Sequence, residues 1–109
     1  MKKLSTQLRA EKKLLSNPTR WAKGAYAKSR GGTPVSAKSL LADCWCQAGA
    51  EEYLGNETYL LKEKIAKFMK PEYYDIANDV FFNYHVETTH ADLMEFYDVC
   101  IAIAEGAGV

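Results

Sequence analysis

Apolar positions recur along the chain at helical spacing, interrupted once by a glycine-rich stretch. Leu4, Leu8 and Leu15 stand at i, i+4 and i+11 with lysine and arginine between them, which predicts an amphipathic helix ending near Ser16-Asn17. Pro18 breaks it, and Asn17 can cap a short new turn with Pro18 at its first position, placing Trp21 one turn in. From Ala22 to Val35 the helical period fades as Gly24, Gly31, Gly32 and Pro34 appear. This stretch predicts a small hairpin: Ala25 to Lys28 as one strand, Arg30-Gly31-Gly32 as the turn, and Thr33-Pro34-Val35 as a return strand that proline confines to an edge.

Leu41, Cys44, Trp45 and Ala48 then fall at i, i+3, i+4 and i+7, a single apolar stripe that predicts a central helix with Glu51 and Glu52 turned to water. Ser36 or Ser39 would cap it, and Gly55 would end it after Leu54 as a left-handed residue. Gly49 costs such a helix about 1 kcal/mol relative to alanine, so another element should cross there at close backbone distance, expected to be the segment carrying Trp21. Asn56 would cap the next helix, striped by Leu61, Ile65, Phe68 and Met69, antiparallel to the central helix across a tight turn and closed by Pro71. Tyr73, Ile76, Ala77, Val80 and Tyr84 continue a helical stripe, with a strand or loop left open after Asp79. Thr89 and Asp92 form a capping-box variant for a final helix striped by Leu93, Phe96, Tyr97, Cys100, Ile101 and Ala104. The expected fold is one domain over residues 1–109, mainly α: a compact bundle of four or five helices with a small β-hairpin inserted before the central helix.

Charge divides the chain unevenly. The net charge is zero, yet through Lys38 ten lysines and arginines accompany Glu11 alone, and from Ser39 onward four lysines accompany thirteen acids. The basic part permits an anionic partner, whether nucleic acid, nucleotide or an acidic protein surface; the opposition of the two parts equally permits pairing across the domain or assembly of copies into a homo-oligomer. Nearly half of the residues are apolar, enough for one core. No apolar run approaches the ~18 residues of a membrane span. Three cysteines make an odd count, and Cys44 and Cys46 at i, i+2 fit neither a disulfide framework nor a zinc pair. The expectation is a soluble, cytoplasmic protein without a membrane partner, and Asn56-Glu57-Thr58 reads as a helix start rather than a glycosylation site.

Complete catalytic motifs are missing. His85-Val86-Glu87 matches the first half of a zinc-deaminase signature, but the following Pro-Cys-x-x-Cys is absent. His85, Glu87, His90 and Asp92 have metal-ligand chemistry, yet they flank a helix start where capping is the commoner use. No nucleophile elbow, phosphate loop or dinucleotide fingerprint appears, so the expectation is no enzyme, no cofactor and no metal. The most suggestive stretch is basic and aromatic, Arg20 to Arg30: Trp21 and Tyr26 could stack on a base or anchor an interface while Lys23, Lys28 and Arg30 meet negative charge. Asn78-Asp79 stands among apolar neighbours, as a structural clamp or a ligand-reading pair.

Trp21 followed by Gly24-Ala25, the glycine turn, Trp45-Cys46-Gln47-Ala48-Gly49-Ala50, Asn78-Asp79 and the Thr89-capped helix together resemble a small family of unknown function found in phages and actinobacteria, over roughly Leu14 to Ala104. This chain differs from that pattern by a longer aromatic insertion between Asn78-Asp79 and Thr89. The resemblance implies a compact, mainly helical fold and a phage or bacterial origin, and brings no functional residues with it. The functional expectation is a small non-enzymatic binding protein, a phage accessory factor that inhibits a host defence component by direct contact from the host cytoplasm. The alternative is a nucleotide-sequestering protein. Trp21, Lys23, Tyr26, Lys28, Arg30, Trp45, Asn78 and Asp79 are the candidate contact residues for ligand or partner.

Overall fold

The computed structural model describes residues 2–69 and 89–109. The expectations placed on Pro71, the Tyr73–Tyr84 stripe, Asn78-Asp79, His85 and Glu87 lie outside the described residues.

Helix α1 spans Leu4–Leu15, and the expected short turn follows as a 3-10 helix, Pro18–Arg20, whose capping Asn17 side chain accepts from the Thr19 N–H. The final helix, α4, spans His90–Gly106 and begins with the complete capping box of Thr89 and Asp92. All six residues of its expected stripe are buried. The two helices lie antiparallel: the Ser5 N–H donates to the Val109 carbonyl at one end, and at the other His90 Nε2 donates to the Leu15 carbonyl at 2.7 Å. That carbonyl is one that a helix end leaves without an intrahelical donor. Leu8 and Leu15 join Leu93, Phe96, Tyr97, Cys100, Ile101 and Ala104 in the core.

The hairpin forms with β1 at Ala27–Ser29 and β2 at Pro34–Val35, and Pro34 lies on an edge strand as expected. The central helix is the main correction. Residues Ala42–Trp45 are not its first turn but a strand, β3, which pairs antiparallel with the other side of β1, Ala27 facing Trp45 and Lys28 facing Cys44. The sheet therefore has three strands in the order β2-β1-β3. Neither Ser36 nor Ser39 caps a helix: their hydroxyls accept from the Lys38 and Leu41 N–H groups, and the Ser39 and Ala42 N–H groups donate to the Ser36 and Ser39 carbonyls. These successive turns take the bonds that would have nucleated a helix, and the open edge of β1 offers the chain a ladder. Leu41, counted on the apolar stripe, is 70% exposed.

Helix α2 is accordingly short, Gln47–Leu54, with Cys46 as its N-cap, the thiol sulfur accepting from the Gly49 N–H at 3.3 Å. Its end matches expectation. Gly55 adopts φ 69°, and the Asn56 and Gly55 N–H groups close onto the Glu51 and Glu52 carbonyls, the paired bonds of a Schellman motif. Close crossing at Gly49 also holds: a Cβ there would lie 1.8 Å from the Tyr26 carbonyl oxygen. The crossing backbone is Tyr26, while Trp21 forms a parallel bridge to Trp45 nearby.

Helix α3, Tyr59–Met69, departs from expectation in three ways. Asn56 does not cap it; the Thr58 carbonyl accepts the Lys62 N–H, and the Asn56 amide donates instead to Gln7 and Glu11 of α1. The helix packs chiefly on α4 rather than as a hairpin against α2. Phe68, counted on its apolar stripe, is 87% exposed, whereas Lys62 is buried with Ile65 and Ala66. The described chain is thus mainly α with a small three-stranded antiparallel sheet, and among the described residues no helix is long and apolar enough to cross a membrane.

Candidate functional site

Helix α1 has two working faces. Inward, Glu11 is fully buried, and its two carboxylate oxygens accept four side-chain hydrogen bonds. Oε2 takes Asn56 Nδ2 at 3.0 Å and Thr58 Oγ1 at 2.6 Å; Oε1 takes Lys62 Nζ at 2.8 Å and the Tyr97 hydroxyl at 2.9 Å. Lys62 also pairs with Glu51 of α2 at 2.9 Å. A buried charge is tolerated when it is paired and its remaining lone pairs are filled, and here the donors come from α3, α4 and the α2–α3 connection. Burial pushes the Lys62 ammonium down, but Glu11 and Glu51 more than offset it and leave its pKa above the usual lysine value. Burial, then the Glu11 charge, pushes Tyr97 well up, and burial raises the Cys100 thiol to about 12. These groups are held in the protonation states that suit packing, not in states poised for acid–base work at neutral pH.

The same pairing explains much of the uneven charge. Arg9 and Lys12 of α1 meet Glu105 and Asp98 of α4, and Arg20 meets Asp43 of β3 at 2.7 Å. Basic side chains of the amino-terminal part thus close onto acids of the rest.

Outward, Ala10, Leu14 and Asn17 with Lys13 form the wall of a groove completed by Arg20, Trp45 and Leu54, enclosing about 520 Å³. Ala10, Lys13 and Leu14 share one face of α1 at i, i+3 and i+4, and Asn17 follows just past the helix end. Strand β3 and the start of α2 hold Trp45 at the floor: the indole N–H donates to the Ala37 carbonyl at 2.9 Å, and its ring packs on Tyr53 with centroids 4.7 Å apart. Trp45 is 6% exposed. The surroundings are apolar, with cations on the rim and, among the described residues, no carboxylate in the lining.

The sequence-derived candidates divide among different surfaces. Trp45 belongs to this groove. Trp21 is half-buried, with Lys23 Nζ 4.9 Å from its ring and His90 6.0 Å away on α4. Tyr26 lines a separate groove with Pro34, Val35 and Glu52. Lys28 lies on β1 opposite Pro34 and Cys44, and Arg30 is exposed at the hairpin turn. At about 3.3 Å per residue, Arg30 sits roughly 10 Å along the strand from Ala27, the residue facing Trp45. Asn78 and Asp79 lie outside the described residues. Of the metal-ligand candidates, His90 bonds the Leu15 carbonyl and Asp92 closes the cap of α4; among the described residues no group of three or more metal-ligating side chains gathers.

Sequence reasoning missed Glu11, Lys62, Lys13, Leu14 and Leu54. Glu11 carried one signal, as the single acid in a basic stretch on the same helical face as Leu8 and Leu15. Comparison with known protein families, characterised proteins and solved structures finds no match to this chain.

Proposed function

We propose that this is a small non-enzymatic binding protein that acts by direct contact with a partner protein through the groove between α1 and α2. The observation that carries this reading is the groove itself, with apolar walls of Leu14 and Leu54 over Trp45, edged by Lys13 and Arg20. Apolar centres with polar rims are how proteins hold one another. The buried Glu11, Thr58, Lys62 and Tyr97 pair with one another, which favours a scaffold over a reaction centre. A nucleotide-sequestering site built from Trp21, Tyr26, Arg30 and Trp45 is less well supported, because Tyr26 and Trp45 open on different grooves and Arg30 lies at the far end of β1.

The resemblance to a phage and actinobacterial family extends the reading to a biological role, an accessory factor that blocks a component of host defence. The test is expression in bacteria carrying defined defence systems, challenged with a phage they restrict. Plaque formation restored by the wild-type protein and not by Leu54→Glu is the expected result. Restoration that is indifferent to Leu54→Glu would count against the groove, and failure across the panel against the defence role.

A further inference from the structure

Building on the binding reading above, the geometry points to one class of occupant for the α1–α2 groove: an acidic amphipathic segment of a partner protein. Apolar side chains of that segment rest on Leu14, Trp45 and Leu54, and its carboxylates meet Lys13 and Arg20.

Charge complementarity selects this chemistry. Among the described residues, the lining side chains include the cations Lys13 and Arg20 and no acid. Lys12, the neighbour of Lys13, is turned to Asp98 of α4, so Lys13 is the α1 cation that remains on the groove rim. Arg20 is fixed rather than consumed by its contacts: Nη1 donates to both the carbonyl and the carboxylate of Asp43, which leaves its Nε and Nη2 donors for a second carboxylate in the bidentate geometry that guanidinium favours. The Asn17 side-chain oxygen is occupied by Thr19. The rim therefore offers donors and positive charge.

The floor excludes simpler anions. A free phosphate would satisfy the rim and leave Leu14 and Leu54 in water, whereas an uncharged apolar segment would desolvate Lys13 without return. A base has little ring to stack on, since Trp45 is already packed on Tyr53. Along α1, the wall from Ala10 to the helix end at Leu15 is about 7–8 Å long at 1.5 Å per residue, and Asn17 continues it past that end. A short amphipathic anchor with acids on one flank fits along that wall, as in helix-in-groove recognition.

A random peptide library displayed against the full chain tests this directly, with selected peptides then titrated onto wild type, Lys13→Glu and Leu54→Glu. Lys13 is exposed and makes no ion pair among the described residues, so Lys13→Glu should retain the fold, which a thermal melt verifies. The expected outcome is enrichment of peptides with apolar anchors flanked by Asp or Glu, weakened about tenfold by Lys13→Glu, weakened further by salt, and abolished by Leu54→Glu. Selected peptides that require Leu54 but carry no acids and ignore Lys13→Glu would overturn this inference while leaving the groove as a binding site. Selection that yields no binders, or only binders indifferent to both substitutions, would overturn the inference and the binding reading together.

Discussion

Replacing Glu11 by glutamine changes one oxygen to an amide and little else in shape, yet it should cost this fold a large part of its stability. The carboxylate accepts from four donors, two at each oxygen. Whichever way the new amide is oriented, its NH₂ faces two of them, either Asn56 with Thr58 or Lys62 with Tyr97. Two buried donors left without acceptors cost roughly 1–3 kcal/mol each, and breaking one arm of a buried ion pair costs about 3–5 kcal/mol in comparable cases. Lys62 and Thr58 keep Glu51, and Asn56 keeps the Gln7 carbonyl, which holds the total near the lower estimates, at about 3–5 kcal/mol against a typical domain stability of about 5–15 kcal/mol. Urea unfolding followed by circular dichroism and tryptophan fluorescence reads this out; at a slope of about 1–3 kcal/mol per molar urea, the midpoint should fall by more than 1 M. Arg9→Met and Lys12→Met, which remove exposed pairs to Glu105 and Asp98, should cost about 0–1 kcal/mol each. A Glu11→Gln protein that unfolds within 1 kcal/mol of wild type would show that the buried carboxylate does not join α1 to the rest.

Gly49→Ala should destabilise by about 1–3 kcal/mol or more despite alanine's better helix propensity, because the new Cβ meets backbone at Tyr26; Gly31→Ala, with nothing nearer than the Ser29 hydroxyl at 4.0 Å, should leave the urea midpoint unchanged. Thr89→Ala removes the side-chain half of the α4 capping box and should cost about 1 kcal/mol in the same assay. Stability should also fall in alkali. Tyr97, Lys62 and Cys100 all have folded pKa values above their ordinary ones, so the unfolded chain releases protons first and each contribution, complete below pH 9, is lost as pH rises through the folded value. For Cys100 that window runs from 9.0 to about 12, at about 1.4 kcal/mol per pH unit, and Cys100→Ala should flatten the slope there in a pH series of urea melts.

The ends of the molecule were legible in the sequence because local signals there agreed with tertiary packing. Leu4, Leu8 and Leu15 wrote α1, the Asn17-Pro18 pair wrote its break, and Thr89 with the six-residue stripe wrote α4. Gly49 announced a backbone crossing through its cost alone. The middle misled where a short pattern fitted two periods: Leu41, Cys44, Trp45 and Ala48 satisfy a helical stripe, while the serine turns before Ala42 and the free edge of β1 favour a strand. Cys46 was hidden as a cap because sulfur is an unusual acceptor in that role. Glu11 and Lys62 were hidden because each looks like an ordinary surface charge until the other, fifty-one residues away, is placed beside it. The groove likewise joins α1, the 3-10 turn, β3 and α2, and no single stretch of sequence displays it.

The account holds that α1 turns Glu11 inward to secure the fold and leaves the face of Ala10, Lys13 and Leu14 for a partner. Backbone amide exchange of the chain alone and saturated with a selected acidic peptide tests this most directly. Protection gained along residues 10–20 and 45–54 is the predicted result; protection confined to the hairpin at residues 26–35, with α1 unchanged, would contradict it.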